Sequence, residues 1–167
     1  MTSTMLLLKV GGLGVLFVAA ALFVSGGGEA LDMLQAMNTG HDGSLTTLHA
    51  NTPVDALSRL ETLSLMAGLD LPARAIRDQI ASAVQIVVQQ SRLQDGSRRI
   101  TYVTEICGQD GAQFVTRDIF RFEQTGLAPD GKVLGQFRPT GHVPAFIKNL
   151  PNFGIQVPEE IFLHQTL

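Results

Sequence analysis

The sequence predicts an α/β fold in which helices come first and an antiparallel β meander follows, the whole preceded by an apolar amino-terminal helix. Three observations lead to this reading. The spacing of apolar residues changes from about 3.6 to about 2 after Ala83. Asp-Gly pairs at Asp95-Gly96, Asp110-Gly111 and Asp130-Gly131 punctuate the second half, and such pairs favour tight hairpin turns because Gly accepts positive φ freely and Asp better than most residues. The third observation is a charge-free run of fifteen residues from Val10 to Val24.

Composition bounds the rest. A chain of 167 residues can bury one core without metal or disulfide staples. Its 45% hydrophobic and 16% charged residues exclude a disordered chain. A net charge of -3 and a pI near 5.7 argue against nucleic acid, because binding many phosphates needs a basic stripe. The single cysteine, Cys107, excludes an internal disulfide and a cysteine-rich zinc site, which fits a cytoplasmic setting. It reads as a small hydrophobe at a strand end.

Residues 1–26 read as a leader and 27–167 as the domain. Lys9 is the leader's only charge, and the apolar stretch 5–24 reaches twenty residues, long enough to cross a bilayer as a helix. A cleaved signal or a buried core element fits the same residues. Gly11, Gly12 and Gly14 weaken the helix by about 0.5 to 1 kcal/mol each.

Within the domain, Leu31, Leu34 and Met33 or Met37 mark one helical face over 29–38, with acids in the first turns and a stop at Gly40. Residues 44–49, after Asp42-Gly43, read as a short strand. Thr52 then caps a helix with Pro53 at its first position and the stripe Leu57, Leu60 and Leu63. Asp70 and Pro72 open another, in which Ile76, Ile80 and Ala83 face the core and Arg74 lies four residues before Asp78. Strands are predicted over 84–92, 98–107, 112–122 and 132–138. The tail carries Pro139, Pro144, Pro151 and Pro158, so a short helix near 144–150 and otherwise irregular chain is expected.

The chemistry concentrates in Asn38–Asn51, where two histidines, one aspartate and four hydroxyls lie between two helices. Imidazole and hydroxyl donors at a strand end could bind phosphate oxygens or polarise a water. A capped turn plus a core histidine is the competing reading. His41, Asp42 and His49 match no standard zinc spacing, and Ser44 lies in no nucleophile elbow, so neither a metal nor a serine triad is expected there. Arg92, Arg98 and Arg99 flank the Asp95-Gly96 turn as a solvated hairpin tip or an anion site.

One run is more specific. Gly27-Gly-Glu-Ala-Leu-Asp-Met-Leu-Gln-Ala-Met-Asn-Thr-Gly-His-Asp-Gly-Ser-Leu-Thr-Thr-Leu-His-Ala-Asn-Thr-Pro53 closely resembles the type II/IV secretion ATPases, in particular the CpaF-type enzymes of tight-adherence (Flp) pilus assembly. The likeness continues through Asp55–Glu61, Arg77–Ala83, Gln89–Arg99 and Phe120–Gly126, and reaches Phe162. It implies the carboxy-terminal part of a RecA-like P-loop ATPase core, a hexamer using ATP and magnesium to drive pilin through an inner-membrane platform protein. Gly40–Asn51 would be its histidine box, with His49 approaching the terminal phosphate and Thr46 and Thr47 beside it. His41, Glu29 and Arg59 are further positions that the resemblance marks.

The 167 residues contain no G-x-x-x-x-G-K-[ST], because Lys9, Lys132 and Lys148 all lack the preceding glycine frame. The Walker B strand that the resemblance places near 22–26 reads Leu-Phe-Val-Ser-Gly, without a carboxylate. The expectation is therefore a carboxy-terminal portion, truncated or recombined behind the leader, that binds no nucleotide tightly and is inactive alone. A non-enzymatic module, tethered to the membrane through 5–24 and docking on intact ATPase subunits or the platform, is the alternative. Either would work at the cytoplasmic face of the bacterial inner membrane.

Overall fold

The computed structural model describes residues 3–8, 22–23, 26–39, 44–68 and 70–163. Among them one sheet has seven strands: β1 (Ser3–Leu8), β2 (Leu22–Phe23), β3 (Leu45–Ala50), β4 (Ile86–Arg92), β5 (Arg98–Asp110), β6 (Gln113–Leu127) and β7 (Val133–Pro139). Their order across the sheet is β2-β3-β1-β4-β5-β6-β7. Three helices, α1 (Gly27–Asn38), α2 (Pro53–Met66) and α3 (Ala73–Ala83), precede the meander as the periodicity predicts.

Each helix follows from local chemistry. Thr52 Oγ1 accepts the Asp55 amide at 3.1 Å and Pro53 occupies the first position, so two groups left over at the start of α2 are dealt with in sequence. The predicted stripes are buried at Leu31, Leu34 and Met37 on α1, Leu57 and Leu60 on α2, and Ile76, Ile80 and Ala83 on α3, while Leu63 at the end of the α2 stripe is only partly buried. All of these except Leu31 meet Leu48 of β3, Val87 of β4 and Ile106 of β5 in the larger core. Each fully buried Leu or Ile contributes about 1.5 to 3 kcal/mol of apolar transfer. On α3 the ion pair is Arg77 with Glu61 of α2 at 2.7 Å, while Asp78 accepts from Gln109 of β5. The helix therefore uses its polar residues to reach neighbouring elements rather than for the Arg74–Asp78 pair that spacing allows.

The meander turns at all three Asp-Gly pairs, where Gly96, Gly111 and Gly131 take φ of 81°, 59° and 80°. Strands β5 and β6 extend further than the pattern predicts, to Asp110 and Leu127, because ladder pairing continues to the turn residues themselves. The tail forms 3₁₀ helices at Ala145–Phe153 and Glu159–Phe162. They lie on the sheet face away from the α-helices, where Ile147 and Phe162 complete a second core with Ile86 and Ile119.

The amino-terminal segment departs from expectation. A single apolar helix over 5–24 is not formed, since Ser3–Leu8 and Leu22–Phe23 are strands of the main sheet. The physical reason lies in the sheet. Strands β3 and β4 both run antiparallel to β1, hence parallel to each other, and the gap between them is one strand wide. Backbone N–H and C=O groups lining such a gap need partners that a strand supplies and a helix does not. Strand β2 pairs in parallel with β3. Among the described residues no helix is long and apolar enough to cross a membrane, so the tether through 5–24 loses its expected element. Residues 9–21 lie outside the described residues.

One turn carries a pH prediction. Asp95 accepts Ser97 Oγ at 2.6 Å, the Ser97 amide at 2.9 Å and, through its other oxygen, the Val133 amide at 2.8 Å, tying the β4–β5 turn to the start of β7. The Ser97 hydroxyl, then the Val133 and Ser97 amides, lower its pKa from 3.8 to about 2. A depressed carboxylate adds stability above its unfolded pKa and loses it as pH falls through the folded value. Stability should therefore drop as pH falls from 3.8 toward about 2. Asp95→Asn should remove that part of the slope in urea unfolding curves taken across the window.

Candidate functional site

Strand β3 and the residues around it are where the sequence places its chemistry. Side chains alternate along a strand, and β3 obeys this: Thr46 and Leu48 are fully or almost fully buried toward the α-helices, whereas Leu45, Thr47 and His49 are half-buried on the other face. The structure thus separates two residues that the sequence reading groups together. Thr46 belongs to the helix-facing core, and Thr47 shares a face with His49. Immediately after β3, Asn51 and the cap residue Thr52 are exposed. In open α/β sheets ligands bind beyond the carboxyl ends of the strands, which is the end of β3 where His49 lies.

The other marked positions have structural roles or none nearby. Glu29 closes the first turn of α1, its carboxylate accepting the Gly26 amide at 3.2 Å as the N3 half of a capping box, since Gly26 has no side chain to return the bond. Arg59 is exposed on α2. His41 lies outside the described residues. Of the arginine group, Arg99 donates to the Val133 carbonyl at 3.2 Å and stacks 5.2 Å from the centroid of the Phe122 ring, so it braces the meander.

Gln89 was not singled out by sequence reasoning. It is buried in β4, and its Nε2 donates to the Asn51 carbonyl at 2.6 Å and to Ser91 Oγ at 3.2 Å. This bridge holds the chain leaving β3 against β4, across the intervening β1. A glutamine directly after the apolar run Ile86-Val-Val88 was the available signal, since a buried amide has to find partners.

Cys107 is a thiol rather than a poised nucleophile. Partial burial and the nearby Glu105 carboxylate push its pKa up, which opposes thiolate formation.

The ATP and magnesium implied by the resemblance can be tested against these residues. The first acidic residue of the chain is Glu29, which caps its own helix, and no glycine-framed lysine is present. Thr47 and His49 can donate to an anion, but the residues here do not make up a magnesium–nucleotide site by themselves.

Comparison with known proteins agrees with the likeness carried by 27–53. A family model described as type II/IV secretion system protein matches residues 26–120, from the cap of α1 into β6 and more than half of the chain. The chain is 37% identical over 97 residues to the conjugal transfer protein TrbB of Rhizobium radiobacter, covering 58% of this chain and 28% of that protein. It is 40% identical over 89 residues to the type IV secretion system protein PtlH of Bordetella pertussis, covering 51% and 25%. A putative conjugal transfer protein of Mycobacterium tuberculosis is 38% identical over 85 residues, covering 51% and 24%. The chain spans about a quarter of the length of these relatives. With the three helices, the histidine strand and the first strands of the meander inside the matched stretch, the chain belongs to the type II/IV secretion system protein family.

Proposed function

We propose that this chain is the carboxy-terminal portion of a secretion ATPase of the CpaF type, powering type II/IV secretion or Flp pilus assembly, and that it presents Thr47 and His49 to a nucleotide held mainly by other residues. The observation that carries this reading is β3 itself. Its helix-facing side chains, Thr46 and Leu48, are locked in the core, and its other face carries Thr47 and His49, with His49 one residue from the strand's carboxyl end. A rigid strand is a better platform for a phosphate-sensing imidazole than a loop, because it fixes the ring within a fraction of an ångström.

On this reading the glycine-rich phosphate cradle and the magnesium-managing acids come from residues other than these 167, the functional unit is a hexamer, and the platform protein recruits it to the cytoplasmic face of the inner membrane. A second reading asks no nucleotide chemistry of these residues. There the chain is a non-enzymatic module that docks onto intact ATPase subunits.

Both readings require association with a full-length homologue. Sedimentation of the purified chain mixed with such a homologue should show a complex larger than either alone. Co-migration that persists when His49→Ala replaces the wild type is expected, because His49 serves the nucleotide and not the subunit contact. Independent sedimentation of the two proteins would count against both readings.

A further inference from the structure

On the sheet face opposite the α-helices, Glu105, Cys107 and His142 converge. Glu105 and Cys107 are two residues apart on β5 and so leave the same face. His142 arrives on the loop after β7. That loop is fixed: the Thr140 amide donates to the Ile119 carbonyl at 2.9 Å and the Gly141 amide to the Phe162 carbonyl at 3.0 Å. His142 Nε2 lies 2.5 Å from Glu105 Oε2, Cys107 Sγ lies 3.8 Å from the same oxygen, and the three potential ligand atoms all fall within 4.8 Å of one another. The second carboxylate oxygen, Oε1, accepts the Ala145 amide at 2.7 Å.

Imidazole nitrogen, cysteine sulfur and carboxylate oxygen are the three ligand types zinc takes, at about 2.0 to 2.3 Å. Around a tetrahedral ion with those bond lengths the ligand atoms sit about 3.4 to 3.6 Å apart. The sulfur–oxygen spacing is already close to this. The nitrogen–oxygen spacing needs to open by about 1 Å, which a small rotation of the His142 ring provides. Binding would displace the Cys107 thiol proton to solvent, and one thiolate with one carboxylate then balances a divalent charge, so a bound ion would leave little net charge behind. The Ala145 amide on Oε1 would act as the outer partner that orients a metal-binding carboxylate.

We propose that Glu105, Cys107 and His142 form a binding site for a thiophilic divalent cation of the zinc class, with a fourth coordination position facing solvent beside the exposed Cys107. The ion would pin the loop after β7, and with it the carboxy-terminal 3₁₀ layer, onto β5. The proposal is independent of the nucleotide reading. His142 also lies beyond the stretch 26–120 that the family model matches.

Cobalt titration of the reduced, metal-free chain tests it. Cys107 is the only cysteine, so any sulfur-to-cobalt charge-transfer band in the near ultraviolet must arise from it. The expected result is one cobalt per chain, visible bands of tetrahedral intensity together with the charge-transfer band, and displacement of both by zinc. Cys107→Ser should abolish the charge-transfer band while leaving the fold intact, since the residue is exposed. His142→Gln should weaken cobalt binding by about tenfold or more. Absence of the band at equimolar cobalt would overturn the proposal. So would a band unchanged by His142→Gln and Glu105→Gln, or half a cobalt per chain in a sedimenting dimer, which would mean a site shared between two copies of Cys107.

Discussion

Gly27→Val is expected to destabilise the domain by about 1 to 3 kcal/mol or more, although valine for glycine in a helix is ordinarily favourable or neutral. A Cβ at Gly27 would lie 2.7 Å from both the Ala67 nitrogen and the Leu63 oxygen, and 3.0 Å from the Met66 carbonyl carbon. These are backbone atoms at the end of α2, so relief requires moving one helix off the other and opening the core that holds Leu34, Leu57 and Leu60. A large side chain swinging away would not suffice. Gly28, one residue on, has nothing within 4 Å of its added Cβ. Gly28→Ala should therefore be neutral or stabilise by up to about 1 kcal/mol through the unfolded chain. Opposite signs for adjacent glycines, read as shifts in urea midpoint at unchanged slope, check the account of the α1–α2 contact. A fall in stability of similar size for both would mean that the first turn of α1 tolerates no side chain for some other reason.

The meander was legible in the sequence because its signals are local. Each Asp-Gly pair fixes a turn by backbone conformation alone, and period-2 alternation between turns leaves a strand as the only element that buries one face. The helices were legible for the same reason, with Thr52-Pro53 and the leucine stripe of α2 as the clearest case. The amino-terminal strands were not. An apolar run of this length satisfies a helix, a membrane span or a buried strand equally well. What decides among them is the gap between β3 and β4, which exists only once 86–92 has folded alongside 45–50. That information is tertiary.

The residues of 38–51 drew notice by type and density, and the family to which they point is the one that the match over 26–120 supports. Which of them share a face was not readable from composition, and strand alternation assigns Thr47 with His49 while sending Thr46 to the core. Gln89 and the Glu105–Cys107–His142 cluster escaped notice because their partners are distant in sequence: the glutamine bonds a carbonyl 38 positions away, and His142 a carboxylate 37 away. Spacing rules detect metal and amide sites only when the ligands are neighbours along the chain.

The largest functional effect expected is a negative one for the isolated chain and a positive one on mixing. Phosphoryl transfer depends on positioning and on electrostatic stabilisation of the phosphates. The devices that supply most of both, a glycine-rich cradle with its lysine and the magnesium-binding acids, are not among these 167 residues. An imidazole offers a single hydrogen bond, against several backbone donors and a cation. Within a completed site the same imidazole becomes a preorganised donor, and losing one such donor costs on the order of a hundredfold in rate. The measurement that tests this most directly is magnesium-dependent phosphate release by the chain alone and by the chain mixed with a nucleotide-binding half from a homologue, each with wild-type and His49→Ala protein. The account predicts no release above buffer from the chain alone, with no effect of His49→Ala there. It predicts release on mixing that falls at least about tenfold with His49→Ala. Robust turnover by the isolated chain that is lost with His49→Ala, or release on mixing that is indifferent to His49, would contradict it.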